Sequence, residues 1–424
     1  MSHHELEAEL RSLVPRVVGA LVRRYGHFDS AEDAAQEALL AASQQWPISG
    51  TPDDPLGWLI RVGSRRLIDL LRADQARRER EDRVANWVLP SDRVHRDSNT
   101  ARATPAEDDT LILLTLCCHP ALSQASQVAL TLRAVAGLTT IEIARSLVST
   151  PQAVTKRISR AKLVIRDAGA AFRMPNPAEY KSRLDSVMAV IYLTFTEGYA
   201  ATSGPDLNRP DLAGEAIRLG ELLHTLLPDD SEVTGLLALM LLTDARTPAR
   251  LDRNGDLVPM TDQRRDLWKQ ESISRGVDLI TKALPRGPVG AYQLQAAIAA
   301  VHDEARTADE TDWPQIVALY RLLLVVSPGP IVELNFAVAV AMAEGPAAGL
   351  TLLSDLESRL SDNYHLTAAR AHMLEASGDI ADAQQTFLDA AQRATNLRHA
   401  RHLNAHANRL QGSIDRGDAE RSSK

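Results

Sequence analysis

Apolar residues recur along this chain with helical rather than strand spacing. From Glu7 to Ala76, from Glu107 to Phe172 and again beyond Pro177, they fall at steps of three and four. No run combines apolar–polar alternation with the Val, Ile, Thr and aromatic content of a strand. The expected fold class is therefore all-α. The sharpest stripe is Val154, Ile158, Ala161 and Ile165, spaced by four, three and four. At ~100° per residue this stripe leaves Gln152, Thr155, Lys156, Ser159 and Arg160 on the opposite face, with Arg157 and Lys162 flanking it.

End signals place the elements. Thr150-Pro151 pairs a hydroxyl cap with a proline at the first helical position. A shorter helix, Thr140 to Leu147, precedes it across the break Val148-Ser149, so a helix-turn-helix is expected here. Asp54 caps a helix that starts at Pro55 and continues through Arg72. Ser30, with Asp33 three residues on, has capping-box spacing and predicts a helix start at Ala31. The polar stretch from Arg77 to Ala106 reads as a linker, and Met174-Pro175-Asn176-Pro177 as a boundary. The expected domains are residues 8–76, a linker 77–106, residues 107–173, and a longer helical region 176–412, with a frayed end after Gly412.

Composition narrows the class. The 424 residues are 45% apolar, 24% charged and only 4% aromatic, which suits helices packed through small aliphatic side chains. No apolar run approaches the ~20 residues of a membrane span. Met1 to Leu10 is polar and acidic, so no secretory signal is expected. Cys117 and Cys118 are adjacent and cannot staple distant segments, which points to a reducing cytoplasm. The net charge of −8 is uneven: residues 1–173 carry 23 Lys+Arg against 21 Asp+Glu, and residues 174–424 carry 24 against 34. Arg133 to Arg173 holds eight basic and two acidic residues, the footprint of a nucleic-acid surface. Six of the 47 basic residues are Lys; arginine suits phosphate contacts, but a GC-rich coding bias gives the same excess.

Two further surfaces carry candidate chemistry. Asp33 and Glu37 lie four apart on one helix face, a like-charge pair that costs a few tenths of a kcal/mol unless a basic partner offsets it. The alternative is a solvated first turn, where acids are favoured anyway. Trp58, Arg61, Arg65, Arg66, Asp69 and Arg72 form a basic, partly aromatic surface able to hold single-stranded nucleic acid. A core Trp with snorkelling arginines is the plainer reading. No P-loop, dinucleotide turn, HExxH or GxSxG is present, so no catalytic residue and no enzyme is expected. Cys117-Cys118-His119 is too crowded for zinc. Asp252 to Asp256 begins like a calcium loop, but Leu257 and Gln263 stand where Gly and Glu are needed. His302-Asp303-Glu304 lacks a partner pattern. No metal or cofactor is expected.

Taken together, the motifs resemble bacterial extracytoplasmic-function sigma factors over residues 8–172. Ser30 to Glu37 looks like region 2.2, which implies docking of Glu32, Asp33, Gln36 and Glu37 on the β′ coiled coil of core RNA polymerase. Gly57 to Arg72 looks like regions 2.3 and 2.4, which implies −10 contacts by Trp58, Arg61, Arg65, Arg66, Asp69 and Arg72. Glu142 to Lys162 looks like region 4.2, which implies −35 contacts by Gln152, Thr155, Lys156, Arg157, Ser159, Arg160 and Lys162. The partners so implied are core polymerase, through the β′ coiled coil and the β flap, and promoter DNA. Arg66 replaces the usual Asn, and Val148 the usual turn Gly. The subgroup with a long helical extension looks closest, sharing the Leu116-Cys117-Cys118-His119-Pro120 stretch. That extension resembles tetratricopeptide repeats: Gly378-Asp379 sits among Ala371, Leu374, Ala383, Phe387 and Ala390. Helix–Pro–helix layouts recur at 222–242 and 313–343, which implies a surface for a peptide or protein ligand. The rival reading is a stand-alone helix-turn-helix regulator with such a sensor domain.

Overall fold

A computed structural model describes residues 3–85, 108–147, 149–201 and 207–422. Among them are eighteen α-helices and no strand; the one piece of β pairing is an isolated antiparallel bridge between Leu251 and Leu257. No helix of the described residues is long and apolar enough to cross a membrane. The chain divides into two compact units, Met1–Ile191 and Tyr192–Lys424.

The first unit opens with α1 (His3–Tyr25), α2 (Phe28–Ser49) and α3 (Pro55–Ala85), which pack on one another. α1 buries Leu10, Val14, Val17, Val18 and Leu21, and α2 buries Ala31, Ala34, Ala35, Ala38 and Ala42. Those alanines recur at helical spacing and let the helices approach closely. Trp46 and Trp58 meet edge to face at 5.5 Å, tying α2 to α3. The Asp54 carboxylate accepts the Gly57 N–H at 2.9 Å, the cap expected at the start of α3.

Four helices follow: α4 (Asp108–Cys117), α5 (Gln124–Ala134), α6 (Thr140–Ser146) and α7 (Pro151–Asp167). Thr139 and Glu142 form a reciprocal capping box at the start of α6. The Thr150 hydroxyl accepts the Ala153 N–H at 3.2 Å, with Pro151 at the first position of α7. Gly137, in the turn before α6, has φ +76°, and a Cβ there would lie 2.6 Å from Val14 Cγ2. The turn therefore seats on α1 only because this residue has no side chain. Cys117 and Cys118 are fully buried at the end of α4. Burial pushes both thiols up, Cys118 to about 12, so they stay protonated and inert.

α8 (Pro177–Tyr199) crosses the division between the units. The second unit continues through α9 (Pro210–Leu226), α10 (Ser231–Ala245), α11 (Gln270–Ala283), α12 (Ala291–Glu304), α13 (Trp313–Val326), α14 (Pro330–Glu344), α15 (Pro346–Ser354), α16 (Tyr364–Ser377), α17 (Ile380–Arg393) and α18 (Leu397–Ser422). From α9 onward each helix packs on the next, and α10 and α14 also reach α12 and α16. Val233 to Leu242 of α10 is buried without a break, as a helix apolar on every side must be. Asp230 caps α10, and Glu232 accepts the Tyr292 and Gln293 N–H groups at 3.1 and 3.0 Å, capping α12 in turn. Asp303 is buried 3.3 Å from Arg246 Nε in an ion pair without a hydrogen bond, while Arg265 donates to the carbonyls of His302 and Ala305. Burial sets the titration of both neighbours, holding His302 near 3 and Asp303 near 7.

Several expectations need correction. α2 starts at Phe28, not Ala31, and His27 stands at its cap without a side-chain bond. Burying Phe28 extends the helix backward and leaves Ser30 inside its first turn. α3 runs to Ala85, so the first part of the expected linker is helical; Arg77 to Glu81 are good helix formers whose polarity reads as linker. Residues 86–107, and Val148, lie outside the described residues.

At Gly235 of α10 a Cβ would lie 2.7 Å from the Gln293 backbone nitrogen, which cannot move aside. Gly235→Ala should therefore destabilise the second unit by about 1–3 kcal/mol. Urea unfolding with wild-type stability would contradict that close approach.

Candidate functional site

α7 presents two faces. Val154, Ile158, Ala161 and Ile165 are all buried, and α5 and α6 pack behind them. Gln152, Thr155, Lys156, Ser159 and Arg160 are exposed on the other side, and Arg157 is half-buried. This is a short supported helix whose polar, basic front and N-terminal turn point outward, the shape that enters a major groove. Thr155 also donates back to the Pro151 carbonyl at 2.9 Å.

Lys162 departs from this face. Its side chain is buried, with Nζ 2.5 Å from Glu32 and 2.7 Å from Asp33, and it donates to the Asp29 carbonyl at 3.2 Å. The expectation of a DNA contact is corrected for this residue: it sits beside the apolar stripe, and its long stem crosses to α2.

Glu32 departs in the same way. It is 1% exposed, not a surface acid. Arg133 Nε of α5 lies 2.9 Å from its Oε1, off the N–H line, so that contact is an ion pair rather than a hydrogen bond. Burial raises the Glu32 pKa, but the Lys162 and Arg133 cations outweigh it and hold the group below the usual carboxylate range. Burial dominates at Asp33, whose pKa is raised despite Lys162. The two carboxylates together raise Lys162 against its own burial. Arg11 of α1 reaches Glu142 of α6 at 2.5 Å, and Arg23 of α1 pairs with the buried Asp109 of α4. Beside the cluster a cleft of about 490 Å³ opens between α2, α3 and α7, lined in part by Phe28, Leu71, Lys162 and Arg166. Where α2 meets α7 the contact is thus polar and borders an open cleft, while α1 packs on the apolar α4.

The other candidate residues distribute as follows. Asp33 and Glu37 are exposed and Gln36 is half-buried, with Gln36 donating to the Arg133 carbonyl at 3.4 Å. Glu37 lies 3.3 Å from Arg66, which joins the acidic face to the basic one. Arg61, Arg65, Arg66, Asp69 and Arg72 are exposed along α3, with Arg72 and Asp69 4.0 Å apart. Trp58 is half-buried against Trp46, so packing occupies one edge of its ring. Arg133, Arg11 and Asp109 were not singled out in the sequence. The usable signal was Glu32 itself, an acid set among the buried alanines of α2 and therefore in need of a cation. At Cys117-Cys118-His119 the thiols are buried and protonated. In the calcium-like loop, Asp252 Oδ1 already accepts the Asn254 and Asp256 N–H groups at 2.8 Å.

Comparison with known proteins agrees with part of this layout. Residues 10–78 match the Sigma-70 region 2 family, and residues 183–284 match a family of unknown function, DUF6596. The chain is 40% identical over 401 residues to "Uncharacterized protein R00370" of Rhizobium meliloti, covering 94% of each chain. It is 29% identical over 186 residues to "Probable ECF RNA polymerase sigma factor SigI" of Mycobacterium tuberculosis, covering 43% of this chain and 61% of that one. No solved structure matches.

Removing one partner of a buried ion pair strands the other. Lys162→Ala should cost about 3–5 kcal/mol in urea unfolding of the first unit. The pH dependence has a definite sign. Glu32 is held low, so its contribution is present above its unfolded value of about 4.3 and lost as pH falls through the folded one. Lys162 is held high, so its contribution is present below about 10.4 and lost as pH rises through its folded value. A Lys162→Ala protein with unchanged stability at pH 7 would contradict the cluster's role.

Proposed function

From a chain that belongs to one family with the Rhizobium meliloti protein R00370 and carries sigma-70 region 2 at its N-terminus, we propose a promoter-specificity subunit of bacterial RNA polymerase. Sigma-70 region 2 brings a role in transcription initiation and implies contact with core polymerase and promoter DNA. The finer assignments are part of the proposal. α7 reads the −35 element with Gln152, Thr155, Lys156, Ser159 and Arg160. α3 engages the −10 element with Arg61, Arg65 and neighbouring exposed side chains. The acidic surface of α2 docks on the β′ coiled coil, and the helix-turn-helix meets the β flap. Polymerase performs the chemistry, in the cytoplasm. The second unit is a tetratricopeptide-like regulatory surface for a peptide or protein.

The observation that carries the reading is the two-faced α7, behind its Thr150-Pro151 start, in a unit that also holds the region 2 match. The Glu32 cluster adds a condition. Lys162 and Arg133 neutralise the buried Glu32, so Asp33 and Glu37 are the acids α2 leaves exposed for core.

In-vitro transcription on fragmented genomic DNA, with core polymerase and with or without the chain, tests the proposal. Chain-dependent transcripts sharing a start-proximal sequence are the expected result. Duplex binding that ignores core, without such transcripts, selects the stand-alone regulator instead. Lys156→Ala and Arg160→Ala should each weaken promoter binding by about 1–3 kcal/mol where the contact is to a base edge. Glu37→Lys, on the exposed part of the acidic face, should reduce co-elution with core; unchanged co-elution would remove that face from the docking surface.

A further inference from the structure

Histidine is concentrated in one corner of the second unit. Of the twelve in the chain, His365 and His372 lie on α16, and His399, His402 and His406 on α18. We propose that His372, Glu375 and His406 bind one divalent transition-metal ion of the zinc class between α16 and α18. This inference is independent of the transcription reading.

His372 and Glu375 are three residues apart on α16 and so share a face. His406 meets them from α18, and one ligating atom from each residue lies within 4.8 Å of the others. The rings are held in place from below. Phe387 of α17 is fully buried, and its ring centroid lies 4.8 Å from that of His372 and 5.2 Å from that of His406. The two imidazoles meet each other edge to face at 5.2 Å.

A second observation shows where the donor atoms converge. One nitrogen of Arg409, Nη2, lies 2.8 Å from Glu375 Oε1 and 2.8 Å from His406 Nδ1. A guanidinium can only donate, so His406 Nδ1 must turn its lone pair toward it. An imidazole lone pair and a carboxylate oxygen therefore point at one cation, which is what a metal site requires. Arg409 stands where the metal would, and its side chain is half-exposed. Two imidazoles and one carboxylate select zinc, nickel or copper over calcium and magnesium. Three protein ligands leave a fourth position for water. A bound ion would tie α16 to α18 across α17.

The test is titration of the chelator-stripped full-length protein with zinc alone, followed by calorimetry and by thermal unfolding. We expect one equivalent to bind and the unfolding midpoint to rise. His406→Ala should weaken binding by more than the about tenfold that losing an outer hydrogen-bond partner of a ligand costs. Glu375→Gln keeps the side-chain shape and should also weaken binding, with its fold verified by circular dichroism. Arg409→Gln removes the competing cation and should tighten binding. His399→Ala, outside the trio, should leave affinity unchanged. Saturable binding absent with zinc, or binding retained in both the His406→Ala and Glu375→Gln proteins, overturns the proposal. So does weaker binding in Arg409→Gln.

Discussion

A carboxylate closed off from water must be met by positive charge, and Glu32 is met twice. Arg133 arrives from α5 and Lys162 from α7, each spanning more than 100 positions of chain. Without them the alanine face of α2 could not hold an ionised acid at that place. With them, α2, α5 and α7 share one ion cluster. Arg11 with Glu142, Arg23 with Asp109, and Gly137 seated on Val14 repeat the contact elsewhere. These polar contacts flank an open cleft, and beside them α1 packs on the apolar α4, with Val14, Val17, Leu113 and Leu114 all buried. The polar, basic side of α7 stays exposed throughout.

The second unit rests on a different constraint. α10 is apolar on every side and is enclosed by α9, α11 and α12. Its closest approach, Gly235 on the start of α12, leaves no room for a side chain. Glu232 braces this approach by capping α12. Chemistry is left to the far end of the unit, where imidazoles and a carboxylate converge on Arg409.

Local physics was readable from the chain. Thr150-Pro151, Asp54-Pro55 and the Val154–Ile165 stripe depend on neighbours within a turn or two, and each takes the expected form. The front of α7 was legible for the same reason. Lys162 and Glu32 were not, because a helical wheel puts both at the edge of a stripe, and only the partner helix decides whether such an edge is wet. Ser30 failed as a cap because burial of Phe28 outweighed a favourable hydroxyl position. α8 runs unbroken through the division between the units, so no proline or glycine marks the place.

The central claim is that the Glu32 cluster holds the two halves of the first unit together in the free protein. The most direct measurement is a pulsed electron-resonance distance between spin labels on cysteines placed at the exposed positions Gln45 of α2 and Gln152 of α7. Cys117 and Cys118, buried and protonated, do not compete for the label. The account predicts one narrow distance distribution in the free chain and a broad one when Glu32→Gln is added. A broad distribution in the free chain, or a narrow one that ignores Glu32→Gln, would contradict it.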